Sequence, residues 1–263
     1  MEITGYSASI LIGISLGLIG GGGSILTVPV LVYLFAVDTV LATTYSLFVV
    51  GSTSLVGSAS YFKKGFIDLS TAILFGLPSI AAIFFTRHYM LPAIPEHIIY
   101  MGHFALTKST LLMVFFALLM VFASYGMIKK DREEKITDRQ PASNIWIIAQ
   151  GLVVGVVTGL IGAGGGFLII PALVKLLKLP IKTAVGTSLL IIAVNSLTGF
   201  VFSLGQNHIN WSFLLPVTLI AIVGIFIGSY LSTKIDSKKL KPAFGWFVLV
   251  AGIYIIIKEI LLK

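Results

Sequence analysis

The sequence predicts an all-α integral membrane protein of inverted structural repeats, each a glycine-broken re-entrant helix hairpin plus about three membrane-spanning helices. Three observations lead there. The chain is 57% hydrophobic and 11% charged, with a mean hydropathy of +1.05, whereas soluble domains carry about 25% charged residues. Its first half recurs in its second. The basic residues of the connecting segments change sides between the two copies.

The repeat is read directly. Gly17-Leu18-Ile19-Gly20-Gly21-Gly22-Gly23-Ser24, with Pro29-Val30-Leu31-Val32 after it, returns 142 positions later as Gly159-Leu160-Ile161-Gly162-Ala163-Gly164-Gly165-Gly166, then Pro171-Ala172-Leu173-Val174. From Gly17/Gly159 to Ser70/Ser212 the offset holds without a gap, with 19 identities in 54 positions. A period this long is a duplicated domain rather than a solenoid. Residues 1–128 are the first transmembrane repeat, 129–143 a cytoplasmic polar linker and 144–263 the second, inverted repeat.

The elements follow in order. Tyr6 to Ile19 and Gly23 to Phe35 are read as the first pair of half-helices. Spans of the roughly 20 residues that cross a bilayer are expected over Ala42–Tyr61, Ile67–Thr86 and Ser109–Met127. In the second copy Ile145 to Thr158 and Gly164 to Leu177 form the hairpin, followed by spans over Ala184–Ser203, Asn210–Leu231 and Ala243–Ile260. Met1-Glu2-Ile3-Thr4 lacks a basic n-region, so the first apolar segment is read as retained rather than cleaved.

Charge orients the copies. The connection near Asp38 has no Lys or Arg, whereas its counterpart carries Lys175, Lys178 and Lys182. The next carries Lys63 and Lys64, its counterpart near Gln206 and Asn207 none; the third carries only Arg87, against Lys234, Lys238, Lys239 and Lys241. Under the positive-inside rule the copies sit upside down to one another. The linker and the Lys175–Lys182 connection then share the cytoplasmic side, so the chain between them must enter and leave on that side. Half-helices of about 14 residues reach roughly 21 Å into a core of about 30 Å, which favours a re-entrant hairpin over one long helix.

Non-helical glycines at membrane depth must be buried in protein or line a cavity, and a helix starting there aims unpaired N–H groups at the midplane. Paired breaks at matching positions are also the sequence pointer to a transport site. The candidate anion ligands are Gly20, Gly22, Gly23 and Ser24 with Gly162, Gly164, Gly165 and Gly166. Ser46 and Thr53 share a helix face seven residues apart; Ser188 and Asn195 are their equivalents, and Thr187, Ser54 and Ser196 add hydroxyls nearby. By contrast, Ser9, Gly13, Gly17 and Gly21, with Gly151, Gly155, Gly159 and Ala163, read as small-residue stripes for close helix packing. Ser and Thr hydroxyls bonding their own helix carbonyls are the bland alternative for the polar faces.

Other chemistries are not expected. The chain has no cysteine, hence no disulfide or thiolate metal site. His88, His97 and His103 fall in a loop after Arg87 with only Glu96 as a carboxylate, which is no metal pattern, and no charged residue is expected squarely mid-span. The glycine runs lack the Lys-Ser/Thr of a P-loop and the strand of a dinucleotide fingerprint, and Gly186-Thr187-Ser188-Leu189 is not a nucleophile elbow. No enzyme activity and no cofactor are expected. The net charge of +8 follows the positive-inside rule and calls for no nucleic acid.

Two G-x-x-G-x-G-G runs, each with Pro-x-Leu after it, and Gly186-Thr187-Ser188-Leu189 resemble the sulfite exporter TauE/SafE family of membrane permeases over nearly the whole chain. The resemblance implies a transporter in the cell membrane that passes small sulfur-containing anions such as sulfite, sulfoacetate or related organosulfonates. Tyr45 departs from the second copy's Thr187. The expected partners are the anion and membrane lipid, with a homodimer open. A channel without alternating access, or an assembly subunit without a permeant, are the other readings.

Overall fold

A computed structural model describes residues 2–101, 104–129, 144–175, 177, 179–205, 208–232 and 237–261. The helices are α1 (Glu2–Ile19), α2 (Thr27–Tyr33), α3 (Thr39–Lys63), α4 (Leu69–Phe85), α5 (Leu91–Ala93), α6 (Lys108–Ile128), α7 (Asn144–Ile161), α8 (Gly166–Lys175), α9 (Ile181–Ser203), α10 (Trp211–Leu231) and α11 (Ser237–Leu261). A 3-10 helix, Gly20–Leu26, leads into α2, and a π turn, Thr86–Met90, joins α4 to α5. Strands β1 (His97–Met101) and β2 (Phe104–Thr107) pair antiparallel. Among the described residues seven helical stretches are long and apolar enough to cross a membrane. The protein is an all-α, multi-pass membrane protein.

Helix starts are set by side chains that satisfy orphan N–H groups. Asp38 accepts from Val40 and Leu41 at the head of α3, Asp68 from Thr71 at α4 and Asn210 from Phe213 at α10. Asp68 and Asn210 are repeat equivalents, so both copies punctuate this helix in the same way. α10 shows the face division of a lipid-bathed helix. Leu215, Leu219, Val223 and Phe226 point outward, while Ala221, Gly224, Ile225 and Gly228 are buried.

The chain forms two compact units, each drawing on both sequence copies. One comprises Pro92–Gln140 and Ile235–Lys263. Within it α6 and α11 pack antiparallel, Gly245 lying against Met127 and Ile128 and Gly252 against Met120 and Ala117, while Lys108 Nζ approaches Glu96 at 4.0 Å. Residues 130–143, nearly all of the expected linker, lie outside the described residues, as do His103, Lys178, Gln206, Asn207 and Lys234.

The other unit comprises Met1–Leu91 and Pro141–Lys234 and holds both glycine breaks. Its helices pair across the copies: α1 with α10, α7 with α4, and α3 with α9. α3 and α9 run antiparallel, with Leu47 against Gly199, Gly51 against Leu197 and Gly57 against Leu189. The small-residue stripes lie in the other two pairings. Gly13 and Gly17 meet the backbone of Ala221, Gly224, Ile225 and Gly228; Gly151 and Gly155 meet Phe75 and Ser79. Without side chains in between, backbones approach closely enough for dispersion to hold helices that gain nothing from excluding water in lipid.

Several boundaries differ from expectation. α7 continues through Ile161 instead of stopping at Thr158 and, at 18 residues, is about 27 Å long. The first glycine run is a 3-10 helix rather than an open loop. Arg87 lies not in a connection but inside the helical stretch Leu69–Ala93, and is 1% exposed. Arg87 falls in the last third of that stretch rather than squarely mid-span, so what is corrected is its assignment to a connection. The apolar run resumes at Leu91, and the buried face of the helix carries the cation through. His88 is likewise helical, stacked on Phe84 at 5.4 Å, and His97 lies in β1.

Candidate functional site

Both glycine breaks turn the chain back on itself. Gly165 abuts Val154 and Thr158 of α7, one or two turns before the break. Ile147 and Gln150 of α7 line the same crevice as Ala172 and Leu173 of α8. α8 therefore returns alongside α7. In the first copy Gly23 abuts Ser15 and Leu16, and Gly5 abuts the Phe35 ring. The reversal is made by left-handed glycines: Gly162 at φ 75°, Gly164 at 67° and Gly165 at 67°. A side chain there would meet its own carbonyl. The first break uses only Gly20, at φ 72°, so the rest of its glycines can wind into the 3-10 turn.

The two breaks touch. Gly21 and Gly166 lie backbone to backbone, with Ile192 of α9 against Gly21. A Cβ at Gly164 would stand 2.8 Å from Ser196 Oγ and 2.9 Å from carbons of Val50 and Ile192. Val50 and Ile192 are repeat equivalents, as are Ser54 and Ser196. The breaks thus meet where α3 crosses α9, at positions the two copies share.

Buried polar atoms gather here and along the flanking helices. Asn195 Nδ2 donates to Ser79 Oγ at 2.7 Å. The Asn195 Oδ1 and the hydroxyls of Thr27, Ser46, Ser54, Thr158 and Ser196 are buried without a hydrogen-bond partner among the described residues. A buried, unsatisfied polar group costs about 1–3 kcal/mol, so a cluster of them calls for an explanation. The α8 end adds backbone donors. Leu168 and Ile169 both donate to Gly165 O, at 2.9 and 3.1 Å, so the amides of Gly166 and Phe167 precede the first intrahelical bond.

The remaining candidates divide. Gly20 packs on Val185 and Ile170, and Gly162 on the Thr43 backbone. Gly22 lies in the 3-10 turn. Ser24 Oγ donates to Gly21 O at 2.8 Å, Thr53 Oγ1 to Val49 O and Ser188 Oγ to Val185 O at 2.8 Å; these hydroxyls bond their own helices. Thr187 Oγ1 accepts from the Asp68 amide at 2.9 Å. Its repeat partner Tyr45 does the same for the Asn210 amide at 2.8 Å. The departure from the Thr-Ser pair is therefore a change of reach with one role, a tether from each copy to the helix cap of the other. Of the buried hydroxyls near the breaks, Ser196 was read from sequence as a nearby hydroxyl and Thr158 was not singled out. Thr158 shows in sequence as a polar residue where the first copy has Leu16, just ahead of the glycines.

Two glycine-broken helix pairs meeting around buried polar groups, in an apolar chain with seven helical stretches long enough to cross a membrane among the described residues, are the architecture of a membrane transporter. The model of the sulfite exporter TauE/SafE family matches residues 6–255, and the chain belongs to that family. It is 27% identical over 252 residues to a "probable membrane transporter protein" of Xylella fastidiosa, covering 94% of this chain and 91% of that one. It is also 27% identical over 267 residues to the probable membrane transporter protein YunE of Bacillus subtilis, covering 92% and 93%. A 34% identical match over 114 residues to a probable membrane transporter protein of Methanocaldococcus jannaschii covers 41% of this chain and 43% of that one. No solved structure is significantly similar. The family and these relatives are transporters, not enzymes.

Proposed function

We propose that the protein exports small sulfur-containing anions, sulfite or organosulfonates, by alternating access of two inverted repeats about a site near the bilayer midplane. The observation that carries the reading is the cluster of buried, unpartnered polar atoms where the breaks meet, with Ser196 Oγ beside Gly164. Hydroxyl and amide donors recognise an anion without a competing fixed charge. Half a turn of the Asn195 amide lets Ser79 donate to Oδ1 and frees Nδ2 for the anion; which end is oxygen is an assignment. The Gly166 and Phe167 amides add the positive end of the α8 dipole.

The antiparallel α3 and α9 support inversion of residues 1–128 and 144–263. Lys63 ends α3 and Lys64 follows it, and Lys182 lies at the start of α9, its Nζ 5.9 Å from the Phe66 ring. These cations gather at one end of the helix pair, while Asp38 and Asn210 gather at the other. Such an arrangement fits the positive-inside rule. The family description and the match of hydroxyl and amide donors to an oxyanion support a sulfur oxyanion as the substrate.

The test is a proteoliposome uptake screen of sulfite, sulfoacetate, sulfate and acetate under imposed proton or sodium gradients. Saturable sulfite or sulfonate uptake that accelerates when the same anion is preloaded is the expected result. Non-saturating flux indicates a channel. Absence of flux for every sulfur anion overturns the proposal.

A further inference from the structure

A groove of about 340 Å³ opens on the surface of the α3–α9 pair, toward the end where their cations gather. Its wall is one stripe of α3. Leu55, Ser58, Ala59 and Phe62 recur at the three- and four-residue spacing of a single helix face, and Leu190 of α9 and Ile67 of the α3–α4 connection close it. Leu55, Ala59 and Phe62 are exposed. The Ser58 hydroxyl donates to Leu55 O at 2.8 Å, so the wall it presents is apolar. From Leu55 to Lys63, the lining residue at its end, the groove follows α3 for about 12 Å. That is close to the depth of one leaflet in a hydrocarbon core about 30 Å thick.

The other copy shows what fills this place when the chain supplies it. The repeat equivalents of Leu190 and Ser58 are Phe48 and Phe200, whose rings meet at 4.9 Å. Trp211, equivalent to Leu69, packs edge-on against both, at 5.6 and 5.9 Å. At the groove these three aromatics are replaced by Leu, Ser and Leu, and the space stays open. Charge differs in the same direction. Lys63, Lys64 and Lys182 correspond to Gly205, Gln206 and Val40, so only the open place has cations at its end. Lys182 Nζ lies 5.9 Å from the ring of Phe66, the residue before Ile67. The neighbouring carboxylate, Asp68, accepts from the Thr71 amide and hydroxyl, both at 3.0 Å, and none of the three lysines forms an ion pair among the described residues.

We propose that this groove is a binding site for an anionic phospholipid, with one acyl chain along Leu55, Ala59 and Phe62 and the phosphate held by Lys63, Lys64 and Lys182. Buried methylenes supply the affinity, and basic pockets between helices at the membrane surface select the headgroup. The acyl chain takes the volume that Phe48, Phe200 and Trp211 take in the other copy. Because α3 and α9 come from different copies, the lipid clasps the two repeats together at this end. The site is independent of which anion the protein carries.

The test uses the full chain, purified in detergent and stripped of lipid, then titrated with dioleoylphosphatidylglycerol, dioleoylphosphatidylcholine or glycerol phosphate. Native mass spectrometry counts what is bound, and melting temperatures are measured alongside. Wild type is expected to bind phosphatidylglycerol at least about tenfold more tightly than phosphatidylcholine, with a higher melting temperature, and glycerol phosphate is expected to do neither. Lys63→Gln with Lys64→Gln and Lys182→Gln is expected to bind both lipids equally and weakly. Ser58→Phe with Leu190→Phe, which transplants the other copy's filling, is expected to bind neither. If that pair does not fold, Ala59→Trp, at an exposed position, fills the groove instead. Equal binding of the two lipids by wild type overturns the proposal. So does a phosphatidylglycerol preference that survives the lysine changes or a folded groove-filling variant, since the lipid then sits elsewhere. Glycerol phosphate binding as tightly as the lipid overturns it by removing the acyl chain's part. A dimer that groove filling abolishes, with no lipid retained, assigns the groove to a second copy and overturns it as well.

Discussion

Asn195 and Thr53 occupy the same repeat position, but their polar atoms are used differently. The Thr53 hydroxyl donates into its own helix, to Val49 O, whereas Asn195 spans to Ser79 of α4 and keeps an unpartnered buried oxygen. Removing a polar partner of a desolvated anion costs on the order of 1–3 kcal/mol, roughly 5- to 150-fold in affinity. Asn195→Ala and Ser196→Ala are therefore expected to raise the KM for sulfite within that range, and Thr53→Ala to change it less than about threefold. Transport kinetics on folded, reconstituted variants decide; an unchanged KM for Asn195→Ala would assign the amide to helix packing. The polar face was legible in sequence at this scale because an amide near the middle of an apolar span has nowhere cheap to point. Which hydroxyls bond their own helix was not legible, since a backbone carbonyl is always within reach of Ser or Thr. Arg87 was read as a connection because a single charge interrupts an apolar run whether it is buried or looped out.

At the scale of elements, the glycines have two roles, and substitution separates them. Gly155 faces the Ser79 backbone and the Ala82 side chain across the α7–α4 contact, while Gly164 faces Ser196 Oγ at the meeting of the breaks. Gly155→Ala overpacks a helix pair, a perturbation of about 1–3 kcal/mol. It is expected to lower the melting temperature while the folded fraction still binds sulfite. Gly164→Ala sets a methyl against Ser196 Oγ, Ile192 and Val50 at a left-handed residue where the anion is proposed to bind, and is expected to lose binding out of proportion to stability. Equal ratios of lost binding to lost stability in the two variants would remove the case for an anion site at the glycines. The chain reversals were legible because a glycine run interrupts an apolar stretch at the same position of each copy. Their ends were less so: α7 runs one turn further than expected, since Gly159 is tolerated in a helix packed on Thr86, and the first run winds into a 3-10 turn.

For the molecule as a whole, the account depends on the copies being upside down, because only then do equivalent breaks meet from opposite sides. The duplication and the alternating basic connections were legible in sequence. The pairing of each helix with one from the other copy was not, since a repeat fixes which residues are equivalent and not which ones touch. The chain has no cysteine, so single cysteines report without background. The most direct measurement is labelling of Asp38→Cys, His208→Cys, Lys64→Cys and Lys182→Cys in intact cells with an impermeant thiol reagent, before and after permeabilisation. The account predicts that Asp38→Cys and His208→Cys react from outside, and that Lys64→Cys and Lys182→Cys react only once the membrane is opened. Labelling of Asp38→Cys and Lys182→Cys from the same side, with Lys64→Cys and His208→Cys on the other, would make the copies parallel and contradict it.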